Sequence, residues 1–174
     1  MTTFAILGTG ESFSQELADF VRGKCGAIAV SDNYKLAPWA DGLVSSDGLW
    51  WKCNPQALQF AGRKFCSVAI GHKSVEVLKP DGPYSPASNS GLRGMVVAEK
   101  IFGATRLLLL GFDMRGSHYF GPHPEPLNNT SPERFKVHMG QFRRWNGCQV
   151  LNCTKGSALQ CFPFMDIREA LLLP

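Results

Sequence analysis

The chain has 174 residues, 44% hydrophobic and 18% charged, with a net charge of +4; this globular mix suits a single domain over residues 1–174 and excludes a disordered polymer. No apolar run approaches the roughly 20 residues that cross a bilayer, and the six cysteines, Cys25, Cys53, Cys66, Cys148, Cys153 and Cys161, form no C-x-x-C pair, so neither a membrane span nor a zinc site is expected. The mild, scattered positive charge favours anionic ligands and gives no specific nucleic-acid surface; with no basic-then-apolar leader, a cytoplasmic protein with reduced thiols is expected.

Residues 3–7 read as a first strand, which runs into Gly8-Thr9-Gly10-Glu11-Ser12. Ser12 with Gln15 fits a capping box ahead of a helix carrying Phe13, Leu17, Phe20 and Val21, closed by Gly23. Further strands are expected at 27–31, 42–46 and 65–70. Residues 71–88, rich in Pro, Gly and Ser, read as a loop. A helix over 92–102 follows, with Arg93 and Lys100 seven apart on one face and apolar residues elsewhere. Residues 106–111 form the strongest strand pattern, apolar on both faces, and 114–130 form a second long loop. Ser131-Pro132 caps a helix whose stripe is Phe135, Met139, Phe142 and Trp145, ending at Gly147. A strand at 149–152 and a closing helix complete the chain. Apolar strands alternating with helices predict an α/β fold, a Rossmann-like three-layer sandwich with a mostly parallel sheet of about six strands.

Chemistry-bearing residues gather where strands end. The Gly8–Ser12 turn offers close backbone approach and a helix amino terminus, both suited to phosphate; the third glycine of the dinucleotide fingerprint is missing, so NAD is not expected. Asn89-Ser90-Gly91 opens another helix and belongs beside the first turn if the strand order is of Rossmann type. Asp32 and Asn33 after the second strand, and Asp47 after the third, are candidates for ribose or base contacts or plain turn residues. The segment from Gly111 to His123 is the richest, with Asp113, Arg115, His118, Tyr119 and His123. Histidine is the usual acid or base near neutral pH, and Tyr and Arg donate to phosphate. His138 reads as a core or boundary histidine. Metalloprotease, two-metal nuclease and serine-hydrolase motifs are missing.

The order Ile6-Leu7-Gly8-Thr9-Gly10-Glu11-Ser12, Asn89-Ser90-Gly91, Leu109-Leu110-Gly111-Phe112-Asp113 and Ser117-His118-Tyr119 resembles bacterial sialyltransferases of the Campylobacter type and the archaeal-type hydroxymethylpterin pyrophosphokinase group. Over nearly its whole length, notably at 34–41 and 152–159, the chain is similar to short Rossmann-like proteins of tailed phages and prophages, of the norphogenetic type. The sialyltransferase resemblance implies Gly8, Gly10, Asn33, Asn89, Ser90 and Gly91 around a cytidine monophosphate sugar donor, with Tyr119 on phosphate and His118 as base. Ser117-His118-Tyr119 matches either the phosphate-tyrosine or the base segment of those enzymes, which are separate there, and the chain is shorter and lacks their acceptor lid.

The expectation is a phage-encoded, nucleotide-binding transferase that requires no metal or cofactor. His118 would deprotonate the acceptor while Tyr119 and Arg115 stabilise the leaving phosphate. The expected partner is a small phosphorylated nucleotide-type ligand, and homo-oligomerisation stays open. One alternative is non-catalytic or degradative capture of a host nucleotide immune signal. A virion or assembly role is weaker.

Overall fold

In the computed structural model, which describes residues 1–79 and 89–174, seven parallel strands form one sheet. They are β1 (Thr3–Leu7), β2 (Gly26–Val30), β3 (Gly42–Val44), β4 (Arg63–Cys66), β5 (Val75–Val77), β6 (Arg106–Leu110) and β7 (Gln149–Asn152), in the order β5-β4-β3-β2-β1-β6-β7. Five α-helices cover it among the described residues: α1 (Gln15–Val21), α2 (Gly48–Cys53), α3 (Ser90–Lys100), α4 (Pro132–Phe142) and α5 (Ile167–Ala170). None of them is long and apolar enough to cross a membrane.

The central strands are apolar on both faces because both faces are covered. Ala5, Leu7, Ala27, Ala29, Leu108 and Leu110 pack with α1, α2 and α5 through Ala18, Val21, Trp50, Trp51 and Ile167. The alternate residues Phe4, Ile6, Ile28, Val30, Leu107 and Leu109 pack with α3 and α4 through Leu92, Met95 and Phe142. The period of two along each strand thus divides one apolar sequence between two cores. The α/β three-layer expectation holds, with one strand more than anticipated.

That extra strand is β5, three residues inside the segment read as a loop; only Val75 of the three is buried. Residues 80–88 of that loop lie outside the described residues. β4 starts before the expected 65 because Lys64, an unlikely-looking core residue, is accommodated there, and it ends at Cys66 rather than at 70. Its ammonium donates to the carbonyls of Phe60 at 2.6 Å and Gly62 at 3.2 Å. The first helix is capped by Ser14, whose hydroxyl accepts from Leu17 N at 3.3 Å, rather than by Ser12. Arg93 does not face water: it is 3% exposed, since α3 is buried from Gly91 to Ala98. The fourth helix stops at Phe142, but Trp145 still packs on the second core, with its indole N–H on Cys148 O at 2.9 Å.

The chain steps outward from β1 to β5 and then crosses over through α3 to β6, on the other side of β1. The strand order therefore reverses between β1 and β6, and the loops leaving their carboxyl ends part around a crevice there.

Candidate functional site

Beyond the sheet, the loops after β1 and β6 remain joined. Gly8 N donates to Leu110 O at 2.7 Å, Gly10 N to Gly111 O at 2.9 Å, and Tyr119 N to Thr9 O at 3.0 Å. Gly10 and His118 form an isolated antiparallel bridge, and Ser117 N donates to the Glu11 carboxylate at 2.8 Å. This contact explains the glycines. A Cβ on Gly10 would lie 2.6 Å from Gly111 O and on top of the Asp113 carboxylate, and Gly111 takes φ +70° against the Gly8 carbonyl. The expectation that the Gly8 and Gly10 amides are free for phosphate is corrected: both are spent on the neighbouring loop.

Two further residues support this wall from behind. Asn33, fully buried, donates its amide to the carbonyls of Leu7 and Gly8, both at 2.8 Å. Asp32, also buried, accepts from Lys35 Nζ at 2.6 Å and Trp50 Nε1 at 2.9 Å. Neither side chain lines the crevice. Nor do Glu11, Ser12 and Tyr119: Ser12 donates its hydroxyl to Asp113 at 2.8 Å, and Tyr119 packs on Phe13. Burial first, then the nearby Asp32 and Tyr34, push the Tyr119 phenol up to about 12.

The opposite bank is the amino end of α3. Asn89 caps it by accepting from Leu92 N at 2.9 Å, and the Ser90 hydroxyl accepts from Ser46 N at 2.9 Å. Gly91 is required because a Cβ would meet the Phe112 ring at 2.7 Å. Eleven residues of aligned peptide dipole end here, which gives the first turn a partial positive charge.

The crevice between the banks measures about 200 Å³. It gathers Gly8, Thr9 and Gly10 from the β1 loop, Asp47 after β3, Asn89, Ser90 and Gly91 from α3, and Asp113, Arg115, His118 and His123 from the β6 loop. Eleven of the sixteen residues singled out in the sequence thus share one cavity. Its walls also carry the two non-glycine residues with positive φ among those described, Ser31 at 46° and Met114 at 55°; such conformations concentrate at functional sites.

Within the cavity, His118 Nδ1 lies 2.9 Å from Thr9 Oγ1. Its ring stacks on Phe120 at 4.9 Å with planes 4° apart and sits 4.4 Å from the His123 ring. Burial, reinforced by the neighbouring His123, holds its pKa below the usual value against the opposing pull of Asp32 and the Thr9 backbone. His123 is likewise lowered by burial, with Asp32 pulling the other way. Both shifts favour the neutral imidazole. With Nδ1 turned to Thr9, the His118 nitrogen left for chemistry is Nε2.

One lining residue that the sequence read as a core or boundary histidine is His138, 7% exposed, whose Nε2 has no hydrogen-bond partner among the described residues. Its spacing from Phe135 and Phe142 is that of an apolar helix face, so the pattern held no functional signal. Ser31, Ser45, Asn128 and Thr130 also line the cavity without having stood out. Compared with family models, curated proteins and solved structures, the chain matches none.

Proposed function

We propose that the crevice binds a phosphorylated, nucleotide-type ligand and that His118 serves there as general base in a metal-independent group transfer. One observation carries this reading: an imidazole positioned by Thr9 lines the same cavity as the amino end of an eleven-residue helix. The helix end receives the phosphate through backbone N–H groups and its partial charge. Asp47, on the same wall, accepts from a ribose hydroxyl. His118 Nε2 takes the proton of the acceptor hydroxyl as the acceptor oxygen bonds to the transferred group. The bond from that group to the donor phosphate breaks, and Arg115 at the rim meets the departing charge.

The test is incubation with nucleoside mono- and diphosphates and cytidine monophosphate sugars, followed by mass spectrometry and calorimetry. His118→Ala is expected to leave affinity nearly unchanged and to lower turnover by ~100-fold or more. Because burial lowers the His118 pKa, the base form persists as pH falls to about 6.5 and the rate drops only below that. A ligand bound and recovered unchanged in every case removes the transfer step and leaves capture. Failure to bind any phosphorylated nucleotide overturns the reading as a whole.

A further inference from the structure

A second, smaller space adjoins the crevice. It measures about 30 Å³ and is lined by Gly116, Ser117, His118, Asn129, Thr130 and Phe135. Ser117, His118, Thr130 and Phe135 also line the crevice. The two spaces therefore share a wall, and the proposed base stands in it.

The turns around this annex are fixed without filling it. Gly116 takes φ +67°, and a Cβ there would lie 2.7 Å from the Glu11 carboxylate, which accepts from Ser117 N at 2.8 Å. Asn129 accepts from His123 N at 2.7 Å and donates to His123 O at 3.2 Å. Gly116 and Asn129 are exposed, so water reaches the annex from the surface.

Size decides what each space admits. Sites for drug-sized ligands run from roughly 300 Å³ upward. A nucleotide therefore fills the crevice of about 200 Å³, and an organic acceptor finds no room beside it. Roughly 10–15 Å³ suffices for one water, which needs about two to four polar partners. The annex has that room and, in the Ser117 and Thr130 hydroxyls and the His118 ring, those partners. It is too small for a sugar.

We infer that the acceptor is a water held in this annex, so that the group transfer is hydrolysis of the nucleotide-type ligand. Ser117 and Thr130 act as positioning residues that orient the water. With Nδ1 held by Thr9 at 2.9 Å, His118 Nε2 takes one proton from the water as the water oxygen bonds to the transferred group. The bond from that group to the donor phosphate breaks, and its electron pair stays on the phosphate oxygen. The proton on His118 then passes to the departing phosphate or to solvent. This inference rests on the reading of His118 as base and adds the identity of what it deprotonates.

The experiment is incubation of wild type, Ser117→Ala and Ser117→Thr with a nucleoside diphosphate and a cytidine monophosphate sugar in ¹⁸O-water, with and without added lactose or glycerol, read by mass spectrometry. Wild type is expected to consume ligand with no alcohol present. Inorganic phosphate from the diphosphate should carry the label, the cytidine monophosphate sugar should release free sugar, and the nucleoside monophosphate should stay unlabelled. Added alcohol should leave these products unchanged. Ser117→Ala is expected to lower kcat about tenfold with KM nearly constant, and Ser117→Thr, which keeps a hydroxyl, to recover part of the loss. Should Ser117→Ala fail to fold, the wild-type products carry the test. Consumption only in the presence of an alcohol, with transfer to it, overturns hydrolysis and leaves His118 as the base of a transferase. Labelled phosphate with full turnover in Ser117→Ala overturns the annex as the place of the water. Ligand bound and returned unchanged, or no nucleotide bound at all, overturns this inference together with the transfer reading beneath it.

Discussion

Three imidazoles meet at the crevice, and the same cause acts on each: burial lowers the pKa of His118, His123 and His138. The unfolded chain therefore binds more protons than the folded one between the folded values and the ordinary value near 6.5. Stability conferred by keeping these rings neutral is complete above about pH 6.5 and is lost as pH falls through the lowered folded values. Urea midpoints are expected to drop between pH 7 and 5, and His138→Phe is expected to shrink that drop; a flat profile would show that the rings titrate normally. At this scale the sequence announced His118 and His123, because two histidines in a loop with Arg, Tyr and Asp have no packing pattern to explain them. It could not announce His138, whose helical spacing is that of a core residue. It also placed Asp32 and Asn33 correctly at a strand end but could not show their direction. Ser31 before them takes φ +46°, and their side chains serve Trp50, Lys35 and the β1 carbonyls.

The ends of the elements divide in the same way. α3 and α4 were legible because Asn89 and Ser131 are followed by long helical patterns; Ser131 caps as expected, and Asn89, read as opening a helix, proves to be the cap of α3. For α1 the expected cap was Ser12, with a second serine, Ser14, two residues further on. Ser14 takes the cap, and Ser12 is drawn off by the Asp113 carboxylate of the neighbouring loop, a long-range partner no local pattern reveals. Ser14→Ala is expected to cost about 1 kcal/mol in urea unfolding. Ser12→Ala should leave α1 capped and instead free the Asp113 carboxylate toward the cavity, weakening phosphate affinity. Equal unfolding penalties for the two would refute the division of roles. Strand ends were least legible where a strand is short or contains a charge, as at β5 and at Lys64 in β4.

At the scale of the whole molecule, the parallel, doubly covered sheet could be read from the continuous apolar runs at β1, β2 and β6, whereas the strand order could not. Nothing local says that the chain returns across β1. The order makes β1 and β6 the interior of the sheet, paired on both sides, and leaves β5 at an edge with a single three-residue ladder. Amide hydrogen exchange is expected to be slowest in Ala5–Leu7 and Leu108–Leu110 and fastest, among the strands, in Val75–Val77. Comparable protection across all seven would argue against this gradient.

The stitching of the β1 loop to the β6 loop gives the cavity one unyielding side. Bulk added at Gly8, Gly10 or Gly111 meets main chain rather than open space, so variation that retunes ligand preference is better borne by lining residues away from that side, such as Asn128 and Thr130. A randomised library restricted to those two positions should keep its fold and change what it holds, while one directed at the glycines should yield mostly unfolded protein.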